Sequence, residues 1–358
     1  MPDIRMRTNR LRNGMIIKNN VYASSGAILI PHDTPVTKDI ITLLSKHFID
    51  YVIVDYQTKS NLPAPELPPE PPKISPQQIE DFKESFQISE EILSDSFTEI
   101  ASTDRDIDVH VLLDALSQIV ERAQTDVNLC DLLFLMKKNV KGLYAHSINT
   151  ALFAQLLAKW LNYDRHDIEH ITVAALLHDI GMLKFKEEDL EDFHYKDELK
   201  REPYSKHAIF GYNMIKEKSL DIRIKQAVLT HHERLDESGF PLKIAQNQIS
   251  QFSRLIAIAD VYDILTMKEE GTETLSPFDA LKEFESNGHH KFDSHMLITF
   301  TSKIANTFVQ HIVRLNNGEE GRIILINKYN LSRPLVQIGS SFIDLAMRND
   351  LYIKEMLD

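Results

Sequence analysis

Histidine and aspartate recur along this chain in a pattern that few architectures can accommodate. His146, the pair His178-Asp179, His207, the pair His231-His232, and Asp260 with Asp263 all fall in the stretch from Ser75 to about Gln310. There, apolar residues return at spacings of three and four, as in Val111, Leu112, Ala115 and Ile119, the period of an amphipathic helix. The six sites sit on or beside successive helical segments, so a helical bundle can aim all of them at one interior point. The apolar run Val173-Ala174-Ala175-Leu176-Leu177 ends directly on His178-Asp179. Ionisable groups at the end of a buried helix need partners, and a metal is one way to supply them.

The donor chemistry narrows that reading. Imidazole and carboxylate together suit iron, manganese or zinc. A single cysteine, Cys130, excludes an intrachain disulfide and a cysteine-based zinc cluster. The donors outnumber what one ion can take but suffice for two ions sharing a bridging carboxylate. Such ions, ~3.5–4 Å apart, clamp a phosphate for in-line attack. A lone histidine or one His-Asp pair is weak evidence; the combination in a helical setting is what points to metal. The remaining histidines read as surface or supporting residues.

The rest of the chain divides around this region. Residues 1–60 read as a small mixed module, with short strands at Met15-Ile16-Ile17, Ala27–Ile30 and Tyr51–Val54 and a helix over Val36–His47. Residues 61–74 include LPAPELPPEPP, too proline-dense for helix or central strand, and form a linker. Residues 75–124 are expected as connecting helices, 125–311 as the metal-bearing domain and 312–358 as a β module. In the last, the Asn-Gly at 317–318 marks a hairpin and Pro334–Ile338 a further strand. The fold class is thus mostly α, with a small α/β module before the bundle and a small β module after it. A formal net charge of -13 without a long basic cluster argues against a nucleic-acid polymer or membrane surface as partner. The start lacks an apolar signal core, and no run approaches the ~20 apolar residues of a membrane span. The expected location is the cytoplasm.

At this level of detail the chain resembles the HD-GYP family. His178-Asp179-Ile180-Gly181 resembles its HD motif. His231-His232-Glu233-Arg234, followed by Ser238-Gly239-Phe240-Pro241, resembles its HHExxDGxGYP signature, and Arg254–Asp263 (RLIAIADVYD) resembles the segment bearing the last metal ligand. Leu11-Arg12-Asn13-Gly14-Met15 and the C-terminal hairpin resemble modules flanking a bacterial subgroup. The resemblance implies an HD-type bundle and a metal-dependent phosphodiesterase acting on cyclic di-GMP or a related cyclic dinucleotide. By position, His146, His178, Asp179 and Asp260 would hold one metal and His207, His231 and His232 the second. Asp179 would bridge them and take part in catalysis, while Arg234, Phe240 and Asp263 would contact substrate. Gly142 stands where some members carry a glutamate for a third metal, so two ions are expected, iron first and manganese as the alternative.

The motif lysine is Met182 here, the GYP tyrosine is Phe240 and a motif glycine is Glu237. The usual cationic run after Asp263 is replaced by a segment containing Glu269 and Glu270. Weak turnover is therefore expected, with Met182→Lys expected to restore a phosphate contact. The alternatives are a metal-loaded sensor or interaction module without turnover, and a phosphohydrolase for another nucleotide. The flanking modules would be regulatory, receiving a signalling protein partner.

Overall fold

A computed structural model describes residues 3–12, 15–22, 28–47, 49–55, 74–136, 142–186, 203–267 and 275–357. Nearly all of the linker expected at 61–74 lies outside the described residues, as do Glu269 and Glu270. The chain forms two compact units, Met1–Pro71 with Phe308–Asp358, and Pro72–Thr307.

The first unit joins the two β-rich ends, which read as separate modules in the sequence. Its first part runs β1 (Asp3–Arg7), β2 (Ile16–Ile17), β3 (Val21–Tyr22), β4 (Ile28–Ile30), β5 (Thr34–Pro35), α1 (Lys38–Lys46) and β6 (Tyr51–Asp55). The sheet order is β1-β6-β2-β5, with β3 and β4 as a separate pair. The Thr37 side chain caps α1 by accepting from the Ile40 N–H, and Leu44 on α1 buries against Ile17, Val36 and Val54. The C-terminal strands are β7 (Ile312–Leu315), β8 (Glu320–Asn327), β9 (Asn330–Ile338), β10 (Ser341–Asp344) and β11 (Ile353–Met356), in the order β10-β9-β8-β7-β11. The expected hairpin is β7–β8, with Gly318 at φ 88 in its turn. Arg5 on β1 acts electrostatically on Asp344 of β10. Small sheets bury a face only against another layer, which is why chain ends far apart in sequence fold together.

The second unit is helical: α2 (Pro76–Ser102), α3 (Val109–Ala123), α4 (Asp126–Met136), α5 (Leu143–Trp160), α6 (Arg165–Leu177), α7 (His207–Ile215), α8 (Ile222–Thr230), α9 (Gln251–Thr266), α10 (Pro277–Asn287) and α11 (Ser294–Thr307). Its helix starts are written in the sequence. Ser75, Asp108, Asp164, Asp221, Ser250 and Ser276 each accept a backbone N–H at a helix N-terminus, and prolines open α2 and α10, where a missing N–H costs nothing. Two helices form the centre. On α5 every residue from Ala145 to Ala154 is buried, and α9 is buried from Leu255 to Asp260. A helix buried all round must satisfy any polar group it carries from within. His146 lies on the first of these helices and Asp260 and Asp263 on the second. Among the described residues, no helix is long and apolar enough to cross a membrane.

Candidate metal centre

The candidate ligands arrive at helix ends. His178 caps the C-terminus of α6 and Asp179 begins the following 3-10 turn. His207 opens α7, and His231 caps the C-terminus of α8, with His232 next to it. The turn after Asp179 packs tightly on the start of α7: a Cβ on Gly181 would stand 1.9 Å from the His207 carbonyl oxygen. Only glycine lets these two backbones approach so closely.

The side chains gather into two groups, His146 with His178 and Asp260, and Asp179 with His207, His231 and His232. Within each group the potential ligand atoms all lie within 4.8 Å of one another, and every residue is buried. The histidines are oriented from behind. The Nδ1–H groups of His178, His207 and His231 donate to the carbonyl oxygens of Ala175, Tyr204 and Val228 at 2.7, 2.6 and 2.9 Å. A carbonyl can only accept, so Nδ1 carries the proton and Nε2 presents a lone pair inward. His146 Nδ1 is held by Asp263 Oδ2 at 2.8 Å, and His232 Nδ1 lies 3.5 Å from Asp260 Oδ2. The Nε2 atoms then face one another, 3.2 Å apart for His146–His178 and 3.0 Å for His207–His232.

Asp179 lies between the two groups, with one oxygen toward each. Its Oδ1 is 3.1 Å from His207 Nε2 and 3.6 Å from His231 Nε2. Its Oδ2 is 3.6 Å from His178 Nε2 and 3.7 Å from His146 Nε2. All four oxygens of Asp179 and Asp260 are buried without a hydrogen-bond partner among the described residues. Buried carboxylates without hydrogen-bond partners and inward-facing imidazole nitrogens are together best satisfied by a cation among them. The donor set fits divalent metal, with one Asp179 oxygen facing each group.

The electrostatics carry the same tension. Burial works against a charge on His146, yet Asp260 and Asp263 overcome it and raise its pKa to about 10. Burial, reinforced by the neighbouring His231 and His146, pushes His178 down to about 4 despite the pull of Asp179. His232 is driven well below its usual value by burial and by His231 and His207. Burial would raise Asp179, but His178 and His207 hold it well below the carboxylate range.

Beside this cage opens a cavity of about 310 Å³, lined by His232, Arg234, Phe240, Asp260, Phe284 and Lys291 among others. Phe240 stacks on the His232 ring at 4.5 Å and 26°. Arg234 donates from one guanidinium nitrogen to the carbonyls of His231 and Glu233 at 3.0 and 2.9 Å, and its charge lies 5.0 Å above the Phe292 ring. Two of the three expected substrate contacts thus line this cavity.

Asp263 lies elsewhere. It is fully buried behind His146, with Oδ2 committed to that imidazole, and it is absent from the cavity wall. One helical turn from Asp260 on α9, it faces the same interior, where it orients a candidate ligand. Met182 also differs from expectation. Its side chain, 2% exposed, packs with Ile264 against Leu143, Phe185 and Phe240, an apolar setting in which a lysine ammonium would lose its hydration.

The sequence reading placed Glu233 in the signature without giving it a role. Buried beneath the signature loop, its carboxylate accepts the backbone N–H groups of Leu242, Lys243 and Ile244 at 2.6, 3.1 and 3.3 Å. It fixes the segment that follows Phe240. A charged residue directly after two candidate ligands was the available signal. Glu237 adopts φ 62 and Gly142 φ 103; the first is a left-handed position that disfavours a side chain.

A family model described as "HD domain" matches residues 115–296. Among curated proteins, the chain is 26% identical over 191 residues to the cyclic di-GMP phosphodiesterase PdeB of Borreliella burgdorferi, covering 53% of this chain and 50% of that protein. It is 27% identical over 205 residues to the cyclic di-GMP phosphodiesterase PA4108 of Pseudomonas aeruginosa, covering 57% and 49%. It is 29% identical over 148 residues to the 3'3'-cGAMP-specific phosphodiesterase 3 of Vibrio cholerae, covering 41% and 32%. The chain belongs to the HD-domain family. It spans about half the length of the first two of these relatives.

Proposed function

We propose that this chain is a phosphodiesterase that hydrolyses cyclic di-GMP or a related cyclic dinucleotide, with two divalent ions, iron or alternatively manganese, in the cage. His146, His178 and Asp260 would hold one ion and His207, His231 and His232 the other, with Asp179 available to both. The observation that carries this reading is the disposition of Asp179, whose two oxygens each face a different set of inward-pointing imidazoles. Relatives named for cyclic di-GMP and for 3'3'-cGAMP support the substrate class.

When bound, the ions supply Lewis acidity toward the phosphodiester and the attacking water. The protein aligns the rest. Nδ1 hydrogen bonds keep His146, His178, His207 and His231 in the ligating tautomer. Arg234, pinned to the His231 and Glu233 carbonyls, presents fixed positive charge to the cavity that receives the phosphate. Phe240, braced on His232, offers a nucleobase a stacking face. Glu233 holds the loop that carries this face. The flanking β-rich unit is regulatory.

Apolar packing of Met182 at the motif cation position favours a second reading, binding without turnover, because charge neutralisation of the phosphate is then left to Arg234 and the metals. Elemental analysis after anaerobic purification, with a hydrolysis assay on a panel of cyclic dinucleotides, separates the two. Two ions per chain and a linear or mononucleotide product support hydrolysis. Two ions with bound, intact dinucleotide support the second reading. A stoichiometry near zero refutes both.

A further inference from the structure

A second cavity, of about 320 Å³, lies wholly within the β-rich unit. Its wall comes from the end of β1, the Asp50-Tyr51 turn and the β8–β9 hairpin tip, and includes Arg7, Asp50, Tyr51, Lys328 and Tyr329. The Thr8 hydroxyl donates to the Ile49 carbonyl and ties two of these segments together.

Three features of this wall lack a structural reason. First, Asn327 pairs with Asn330, so Lys328 and Tyr329 are the whole of a two-residue hairpin turn. Neither residue has a positive φ, so the turn itself calls for no particular side chain, and this one displays a long cation and a large ring at the cavity. Second, Tyr329 is 67% exposed, with only Lys328 over its ring, at 5.5 Å, so it buries no core. Third, neither Arg7 nor Lys328 is in an ion pair among the described residues. Arg7 instead donates from Nε to the Tyr51 hydroxyl at 2.9 Å and lies 5.6 Å above that ring. Arg5 also lies over the Tyr51 ring, at 4.8 Å. Asp50 is the one carboxylate in the wall. In a chain of net charge -13, unpaired cations beside an exposed aromatic ring are matched by a ligand that is both anionic and aromatic.

We propose that this cavity is a mononucleotide-binding site, with the base stacked on Tyr329, the phosphate held by Arg7 and Lys328, and a sugar hydroxyl or base N–H donating to Asp50. Its volume falls at the lower end of small-ligand pockets, roughly 300–1,000 Å³, a space that one nucleotide can occupy. Stacking on aromatic rings and charge-assisted contacts to phosphate are the usual means of holding such ligands.

The test is titration of the full-length protein with GMP, AMP and inorganic phosphate, followed by calorimetry and saturation-transfer NMR. Wild type is expected to bind at least one nucleotide more tightly than phosphate. Lys328→Ala and Tyr329→Ala should each weaken that binding at least about tenfold, whereas Tyr329→Phe should hold it within about twofold because the stacking face survives. Both positions are exposed, so thermal unfolding should be unchanged and a lost site distinguishable from a lost fold. No nucleotide binding by wild type, phosphate binding as tightly as either nucleotide, or affinities unaffected by Lys328→Ala and Tyr329→Ala would each overturn the proposal.

Discussion

Replacing Asp263 by asparagine isolates one electrostatic contribution to the cage. The side chain is fully buried, and its Oδ2 accepts from His146 Nδ1 at 2.8 Å. Asparagine has the same shape, and its amide oxygen can still accept that hydrogen bond, so packing and ring orientation survive while the negative charge does not. A charge-assisted hydrogen bond contributes about 1.5–3 kcal/mol, against about 0.5–1.5 for a neutral one. The difference, on the order of 1–1.5 kcal/mol, corresponds to roughly tenfold in affinity, at the low end of the 10–100-fold range for residues that support metal ligands. The loss should be confined to the ion held by His146, His178 and Asp260. His207, His231 and His232 are oriented by other groups, so their ion should be retained. Competition with a calibrated chelator should show one ion unchanged and one weakened in Asp263→Asn relative to wild type, at constant thermal stability. Asp263→Leu, which removes the acceptor too, should weaken the same ion further. Equal loss of both ions, or no loss from either variant, would refute the assignment of Asp263 to His146.

Other consequences follow from the same geometry. Glu237→Gly should stabilise the protein by about 0.5–1 kcal/mol, since φ 62 is strained for a side chain and natural for glycine; denaturant midpoints measure this, and a lower midpoint would contradict it. Met182→Lys, read from sequence as a gain, should instead destabilise by on the order of 2 kcal/mol or more, because it puts an ammonium into the cluster of Ile264, Phe185 and Phe240. Unchanged stability together with faster hydrolysis would show that the lysine reaches solvent or phosphate. Metal uptake should release a proton. In the metal-free chain His146 is held up at about 10 against an ordinary 6.5, so its contribution to folding is full below about 6.5 and fades as pH rises through 10. A cation must displace that proton, so metal affinity should climb with pH through this interval; calorimetry in buffers of different ionisation enthalpy counts the protons, and a pH-independent affinity would argue against ligation by His146.

Much of the cage was legible without coordinates. Ligand chemistry is carried by residue type, and His146, His178, Asp179, His207, His231, His232 and Asp260 stand out because imidazole and carboxylate are costly inside apolar helices. Helix starts were equally readable, since Ser75, Asp164, Ser250 and Ser276 cap through local contacts that depend on neighbours a few positions away. Direction was not legible. Asp260 and Asp263 differ in sequence by one helical turn, and only the packing of α9 against α5 turns one toward the imidazole Nε2 atoms and the other toward His146 Nδ1. The same holds for Met182, whose position in the motif suggested a phosphate contact but whose surroundings come from Leu143, Phe185, Phe240 and Ile264. The union of residues 1–71 with 308–358 is also invisible locally, because it joins sheets whose strands are separated by the whole helical unit. Sequence determines which groups need partners; tertiary structure decides which partners they meet, because a side chain's reach is a few ångströms and the chain must fold back on itself to bring distant residues within it.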